Sequence, residues 1–177
     1  VAVIAGFVVT YLVGFEDDVI ENPSPDKKFN KQKTNKETIG SPLEGKVIPL
    51  SQVKDAAFSA GVMGKGAVIE PTLGEVRAPF DGMVMILFPT KHAIGLISNE
   101  GTELLIHIGI DTVQLEGKYF ETFVKQGQSV KKGDLLLKFD IERIQNAGYS
   151  TQVPIIVTNT QDYMDILVTN QSTIHQN

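Results

Sequence analysis

"FPTKHAIGLISNEGTELLIHIGI", residues 88–110, decides the fold of this chain. Two apolar runs lie on either side of the turn-forming sequence SNEG. Such runs joined by a tight turn predict an antiparallel β-hairpin. If the turn is centred between Asn99 and Glu100, His92 lies directly opposite His107, with Cβ atoms about 4.5–5.5 Å apart.

The second strand of this hairpin has one apolar face. Leu104, Ile106, Ile108 and Ile110 alternate along it, and side chains two residues apart share a face of a strand. We therefore expect these four side chains to face the core and His107 to face the other side.

The same pattern of short apolar runs separated by glycine and proline extends from Ser41 over most of the remaining chain. Many short strands at this spacing predict an all-β protein, a flattened β-barrel or sandwich. Two stretches that end at glycine are candidate short helices, LSQVKDAAFSAG and DIERIQNAG. The predicted strands are GKVIPL, GAVIE, GEVRAPF, GMVMILF, AIGLIS, ELLIHIGI, YFETFV, DLLLKFD and VPIIVTN.

The composition excludes several classes of protein. The 177 residues are 42% hydrophobic and 21% charged, which is ordinary for a globular protein. The net charge is −5 and no dense basic block occurs, so we expect no nucleic-acid partner. The chain has no cysteine, which excludes disulfides, a thiol nucleophile and thiolate metal ligands.

The first 40 residues differ from the rest. Residues 1–15, VAVIAGFVVTYLVGF, are continuously apolar and fewer than the roughly 20 that span a membrane, so we interpret them as the end of a transmembrane helix. The alternative is a buried segment of a soluble core. Residues 16–40 are polar, proline-containing and rich in lysine, which predicts a flexible linker with the following domain, 41–177, in the cytoplasm.

Two adjacent histidines allow three interpretations. They form a structural hydrogen-bonded pair, or half of a tetrahedral zinc site that a carboxylate or a partner protein completes. In the third, one neutral imidazole attacks a phosphoryl or acyl group while the other positions that group. No G-x-S-x-G motif for acyl hydrolysis is present.

Other motifs carry less information. GVMGKGA, 61–67, has glycine where a phosphate-binding loop needs Ser or Thr, so we interpret it as a turn. Asp111 either acts electrostatically on the histidine site or begins the next turn, and His175 lies in a polar tail. FVKQGQSVKKGDLLLKFD has elements typical of biotinyl and lipoyl carrier domains, but no target lysine lies in the expected motif.

Four stretches together resemble one known family: GKGAVIEPTLGEVRAPFDGMV, TKHAIGL, LLIHIGIDTVQLEG and VKQGQSVKKGDLLLKFD. The family is the glucose-type IIA domain of the bacterial phosphoenolpyruvate-dependent sugar phosphotransferase system. The apolar segment that ends in GFED resembles the end of a membrane-embedded IIC domain, as in fused permeases of the β-glucoside and sucrose type. Members of the family run on into a further short strand, so we expect the domain to be truncated at its C-terminus.

The resemblance implies an all-β fold and a phosphoryl relay. His107 would be the residue that is phosphorylated, His92 would stabilise the phosphoryl group by a hydrogen bond, and Thr90 would support His92. The partners would be phospho-HPr, a IIB domain and the fused IIC membrane domain, with the IIA domain on the cytoplasmic side of the cell membrane. No cofactor and no resident metal are implied. The alternative is a non-catalytic regulatory module of the same fold that binds partners.

Overall fold

The structure is a computed structural model that describes residues 37–176. The predicted end of a membrane helix, 1–15, and the predicted linker up to Lys36 lie outside these residues. Within the described range, no helix is both long enough and apolar enough to cross a membrane.

The described residues form a β-sandwich of two antiparallel sheets, and the larger sheet is not closed into a barrel. The eight-stranded sheet has the order β11-β1-β2-β10-β6-β5-β4-β8, and the three-stranded sheet has the order β3-β9-β7. The strands of the larger sheet are β1 Gly45–Pro49, β2 Lys65–Pro71, β4 Gly82–Leu87, β5 Ala93–Ser98, β6 Glu103–His107, β8 Ser129–Val130, β10 Val153–Val157 and β11 Thr173–Ile174. Those of the smaller sheet are β3 Glu75–Arg77, β7 Phe120–Thr122 and β9 Leu135–Phe139. The predicted all-β sandwich is confirmed, and each of the nine predicted runs contains a strand.

Short helices connect some of these strands. The helix α1 is Ala56–Ser59 and the helix α2 is Ile141–Asn146, each within a predicted helical stretch. The Asp55 side chain accepts hydrogen bonds from two amides of the first turn of α1, which fixes where this helix begins. Three single 3₁₀ turns, 50–52, 112–115 and 160–162, complete the helical residues of the described range.

Apolar side chains cover both faces of the larger sheet at its centre. The main core lies between the two sheets and includes Ile94, Leu104 and Ile106, all almost fully buried. A second cluster lies on the opposite face, where Phe58 of α1 packs with residues of β1, β2 and β10. Full burial of one such side chain stabilises the fold by roughly 1.5–3 kcal/mol. The site described below lies on the face that α1 covers.

The β5–β6 hairpin is present, but its register differs by one residue from the prediction. Ala93, and not His92, pairs with His107. The reason is the turn: Gly101 has φ +94 and adds a third loop residue between Ser98 and Thr102.

The predicted inward face of β6 is largely confirmed. Leu104, Ile106 and Ile108 are buried in the main core, and His107 lies on the other face. Ile110 was predicted to join them, which is wrong, because it packs against the second cluster. Gly109, two residues after the end of β6, has φ +79, and this left-handed residue ends the alternation of faces.

Candidate active site

His107 is the last residue of the central strand β6. Its half-buried imidazole packs against Phe58 of α1, with ring centroids 5.0 Å apart and an interplanar angle of 60°. Asp55 holds this helix in place, since its carboxylate caps the amide of Phe58 at 3.1 Å. The sequence thus builds a short capped helix whose aromatic residue forms one wall of the site.

The hydrogen bond of His107 fixes its tautomer. Nδ1 lies 2.8 Å from the carbonyl oxygen of Gly109. A carbonyl oxygen only accepts, so Nδ1 carries the hydrogen and Nε2 of the neutral ring keeps its lone pair. The bend that brings this carbonyl back needs glycine: a Cβ at Gly109 would lie 2.6 Å from the carbonyl oxygen of Ser150.

His92 lies next to His107 despite the shifted register. The two ring centroids are 5.0 Å apart and the rings are nearly perpendicular, at 79°. A register shift of one residue would separate the side chains if both lay within the strands. His92 lies just outside β5, after Lys91 at φ +57, so strand alternation does not govern its direction.

The surroundings of His92 hold it in a buried position. Its side chain is 7% exposed, and the ring of Phe88 contacts it edge-on at 5.4 Å. The hydroxyl oxygen of Thr90 lies 2.6 Å from His92 Nδ1, within hydrogen-bond distance. Thr90 lies in a tight turn that Lys91 closes by donating to the carbonyl oxygen of Phe88 at 2.7 Å.

Both imidazoles are neutral at pH 7. Burial and, to a smaller extent, the neighbouring His107 lower the pKa of His92 to about 4. Burial also lowers the pKa of His107, while the bond to Gly109 and the carboxylates of Asp55 and Asp111 raise it in part. A neutral imidazole with a bare nitrogen is a nucleophile, and nearby carboxylates stabilise a positive charge that develops on its ring.

The other singled-out residues have simpler roles. The first part of GVMGKGA, 61–63, forms a turn as predicted, and its last three residues begin β2. Asp111 serves both of its predicted roles, because it begins the 112–115 turn and acts on the pKa of His107. His175 is mostly exposed and lies 3.5 Å from a carboxylate oxygen of Glu44. Across residues 37–176, no group of three or more His, Asp or Glu side chains could hold a metal ion.

Sequence reasoning missed three residues of the site: Phe58, Asp55 and Gly109. Phe58 reaches His107 only through long-range packing, which no local pattern reveals. Asp55 carried a signal, because an aspartate three residues before an apolar helical position is typical of a helix N-cap. Gly109 carried one as well, since a glycine two residues after a strand histidine suits a tight return of the backbone.

Comparisons with known proteins agree with this architecture. The family described as "phosphoenolpyruvate-dependent sugar phosphotransferase system, EIIA 1" matches residues 37–163. Glucose permease IIA from Mycoplasma capricolum has a similar structure, with a TM-score of 0.73 and 36% sequence identity. The match covers 78% of this chain and 89% of that chain.

Longer relatives contain a similar segment. The PTS system beta-glucoside-specific EIIBCA component of Bacillus subtilis (strain 168) is 49% identical over 166 residues, which are 92% of this chain and 26% of that protein. The component of the same name from Dickeya chrysanthemi is 54% identical over 130 residues, which are 73% of this chain and 21% of that protein. The chain thus spans about a quarter of the length of these curated relatives. It belongs to the EIIA 1 family of the phosphoenolpyruvate-dependent sugar phosphotransferase system and is a phosphotransferase component of such a system.

Proposed function

We propose that His107 takes a phosphoryl group from phospho-HPr and passes it to a IIB domain. The observation that carries this proposal is the bond from His107 Nδ1 to Gly109, which leaves Nε2 bare on a neutral ring. The pKa of His107 is lowered by burial, so the ring is unprotonated when the phosphoryl donor arrives. An imidazole donor and an imidazole acceptor of similar strength exchange a phosphoryl group at low cost in either direction.

The transfer step balances as follows. The Nε2 lone pair of His107 forms a bond to phosphorus, and the bond from phosphorus to the HPr histidine breaks, returning its electron pair to that ring. Because His107 Nδ1 keeps its hydrogen, the phosphorylated ring carries a positive charge. The Gly109 carbonyl and the carboxylates of Asp55 and Asp111 act in favour of that charge. On transfer to IIB the ring becomes neutral again, which makes it a good leaving group.

His92 is the second group of the relay. We assign the Thr90 hydroxyl as the donor to His92 Nδ1, which leaves the hydrogen of the neutral ring on Nε2. The nearly perpendicular rings allow this N–H to point at a phosphoryl oxygen on His107. A dianionic phosphoryl group next to His92 also raises its pKa, so the bond strengthens when the group is in place.

The longer relatives suggest a proposal for the parts of the protein that precede the domain. Two of these relatives are β-glucoside-specific EIIBCA components, and this chain is similar to about a quarter of the Bacillus subtilis protein. We propose that residues 1–15 end a membrane helix of a IIC domain, that a linker runs from residue 16 to the start of the domain, and that the domain works on the cytoplasmic side of the membrane. The transported sugar would then be a β-glucoside, selected by parts of the permease outside this chain.

Phosphorylation in a purified system tests the proposal. The chain is incubated with phosphoenolpyruvate, enzyme I and HPr, and intact mass is measured before and after mild acid. We expect one acid-labile phosphoryl group, lost in His107→Gln and retained in His175→Gln, which changes an exposed histidine of the tail. Full phosphorylation of His107→Gln would overturn the assignment. A chain that takes no phosphoryl group but binds HPr would instead be the regulatory module.

A further inference from the structure

Thr112 is a buried polar residue next to the active site, and it has no role in the mechanism proposed above. Its side chain is 0% exposed, and its hydroxyl donates a hydrogen bond to the carbonyl oxygen of Ile108. This bond closes the loop 108–112, which immediately follows the nucleophilic histidine.

The methyl group of Thr112 is equally well placed. Cγ2 lies 2.4 Å from the position that a Cβ at Gly109 would occupy, and therefore packs directly against Gly109. The hydroxyl and the methyl of one side chain thus hold both ends of the peptide segment 108–109.

The loop contains one unfavourable backbone conformation, at Asp111. Its φ of +59 lies in the left-handed region, which is unfavourable for most residues other than glycine, whereas Gly109 adopts its φ of +79 without a steric cost. On its far side, the amide of Ile110 is held by the carbonyl oxygen of Ser150 at 3.1 Å. This amide belongs to the same peptide unit as the Gly109 carbonyl that faces His107. Thr112 holds the preceding unit, through the carbonyl oxygen of Ile108 and the packing of its methyl group against Gly109, and so limits how that unit and the Gly109 carbonyl can turn.

We propose that Thr112 is a positioning residue that sets the tautomer of His107 by holding the Gly109 carbonyl against Nδ1. The proposal rests on the proposed role of His107 as nucleophile. An imidazole with its hydrogen on Nε2 has no lone pair there and cannot attack, so the population of the Nδ1–H form scales the rate of phosphoryl acceptance.

Two substitutions separate the hydroxyl from the shape of the side chain. Thr112→Val keeps the branched shape and removes the donor, whereas Thr112→Ser keeps the donor and removes the methyl. The control is Thr102→Val, which removes another buried threonine hydroxyl at the other end of β6, where it bonds to Tyr163 at 2.6 Å.

The tautomer is read from two-bond ¹H–¹⁵N correlation spectra of the ¹⁵N-histidine-labelled 177-residue chain at pH 8. We expect the Nδ1–H form of His107 in the wild type, Thr112→Ser and Thr102→Val, and a mixture of both forms in Thr112→Val. Acceptance from phospho-HPr should fall roughly two- to tenfold in Thr112→Val only, as expected for one neutral hydrogen bond.

Several results would overturn this role. An unchanged tautomer in Thr112→Val, or the same shift in Thr102→Val, would make Thr112 merely structural. If His107 of the wild type carries its hydrogen on Nε2, the proposed role of Thr112 is wrong, and this result does not depend on whether Thr112→Val folds. The tautomer is measured without any transfer, so a chain in which His107→Gln is still phosphorylated would refute the proposed function and leave the tautomer result standing.

Discussion

The backbone amide of Ile108 donates a hydrogen bond of 2.7 Å to the carbonyl oxygen of His92. The two histidines are therefore carried by backbone segments that are bonded directly to each other, one just before β5 and one at the end of β6. The distance between the imidazoles is fixed by this backbone contact as well as by side-chain packing.

His92→Gln should accept the phosphoryl group from phospho-HPr but pass it on poorly. Glutamine retains a donor but cannot become a cation beside the phosphoryl group, so a charge-assisted bond of about 1.5–3 kcal/mol is lost. We expect transfer from the purified, labelled variant to an isolated IIB domain to be roughly ten- to a hundredfold slower. Wild-type rates in that step would reduce His92 to a structural neighbour.

Stability should fall as the pH decreases from about 6.5 to 4. Folded His92 binds its proton only near pH 4, whereas an unfolded histidine binds it near 6.5, so the unfolded state holds more protons in this window. The loss attributable to His92 is about 3 kcal/mol of unfolding free energy, complete below the folded pKa.

The pKa of His107 is also lowered and adds to the same trend. Denaturant titrations at a series of pH values would measure the trend. His92→Gln should flatten the curve. A curve that is equally steep with and without His92 would contradict the low pKa.

Gly109→Ala should cost both stability and activity. The new Cβ would lie 2.6 Å from the carbonyl oxygen of Ser150, in a left-handed backbone at φ +79. Gly127→Ala is a matched control, because Gly127 has φ +80 and nothing lies within 4 Å of an added Cβ.

We expect Gly127→Ala to lose about 1–2 kcal/mol through backbone strain alone and to accept the phosphoryl group normally. Gly109→Ala should lose more than this and should accept slowly, because the Gly109 carbonyl moves away from His107. Chemical denaturation and the acceptance assay on both variants give the comparison. Equal stabilities and equal rates would show that the Gly109 carbonyl does not need its present position.

The domain should fold without the first 36 residues, and its stability should depend on whether residues 37–40 are present. Ile39 packs against the main core, and the Glu37 carboxylate accepts a hydrogen bond from the Thr102 hydroxyl. We expect chains that begin at Glu37 and at Ser41 to give β-type circular dichroism spectra. The shorter chain should be less stable by about 1–3 kcal/mol. A helical spectrum or equal stabilities would contradict these expectations.

The sequence predicted nine of the eleven strands of residues 37–176, the short helices and the contact between the two histidines, because each depends on local pattern or on one turn. It missed β8 and β11, which have two residues each and are too short to show a periodic pattern. It failed on the register of the β5–β6 hairpin, because the turn was centred between Asn99 and Glu100 as a two-residue loop, whereas three residues, 99–101, lie between Ser98 and Thr102. The contact persisted because His92 lies outside its strand and is not subject to alternation. Phe58 could not be predicted as a wall of the site, since that contact depends on how α1 packs across the sheet.

Thr102, which donates a hydrogen bond to Glu37, lies just before β6, and His107 is the last residue of that strand. About 16 Å of extended chain therefore separate Thr102 from His107. Glu37 thus lies near the beginning of β6, and the reactive histidine lies at the opposite end of the same strand. On our proposal that a linker precedes the domain, the reactive end would lie about the length of β6 from the point where that linker is attached. The fold would then add this distance to the reach of the relay.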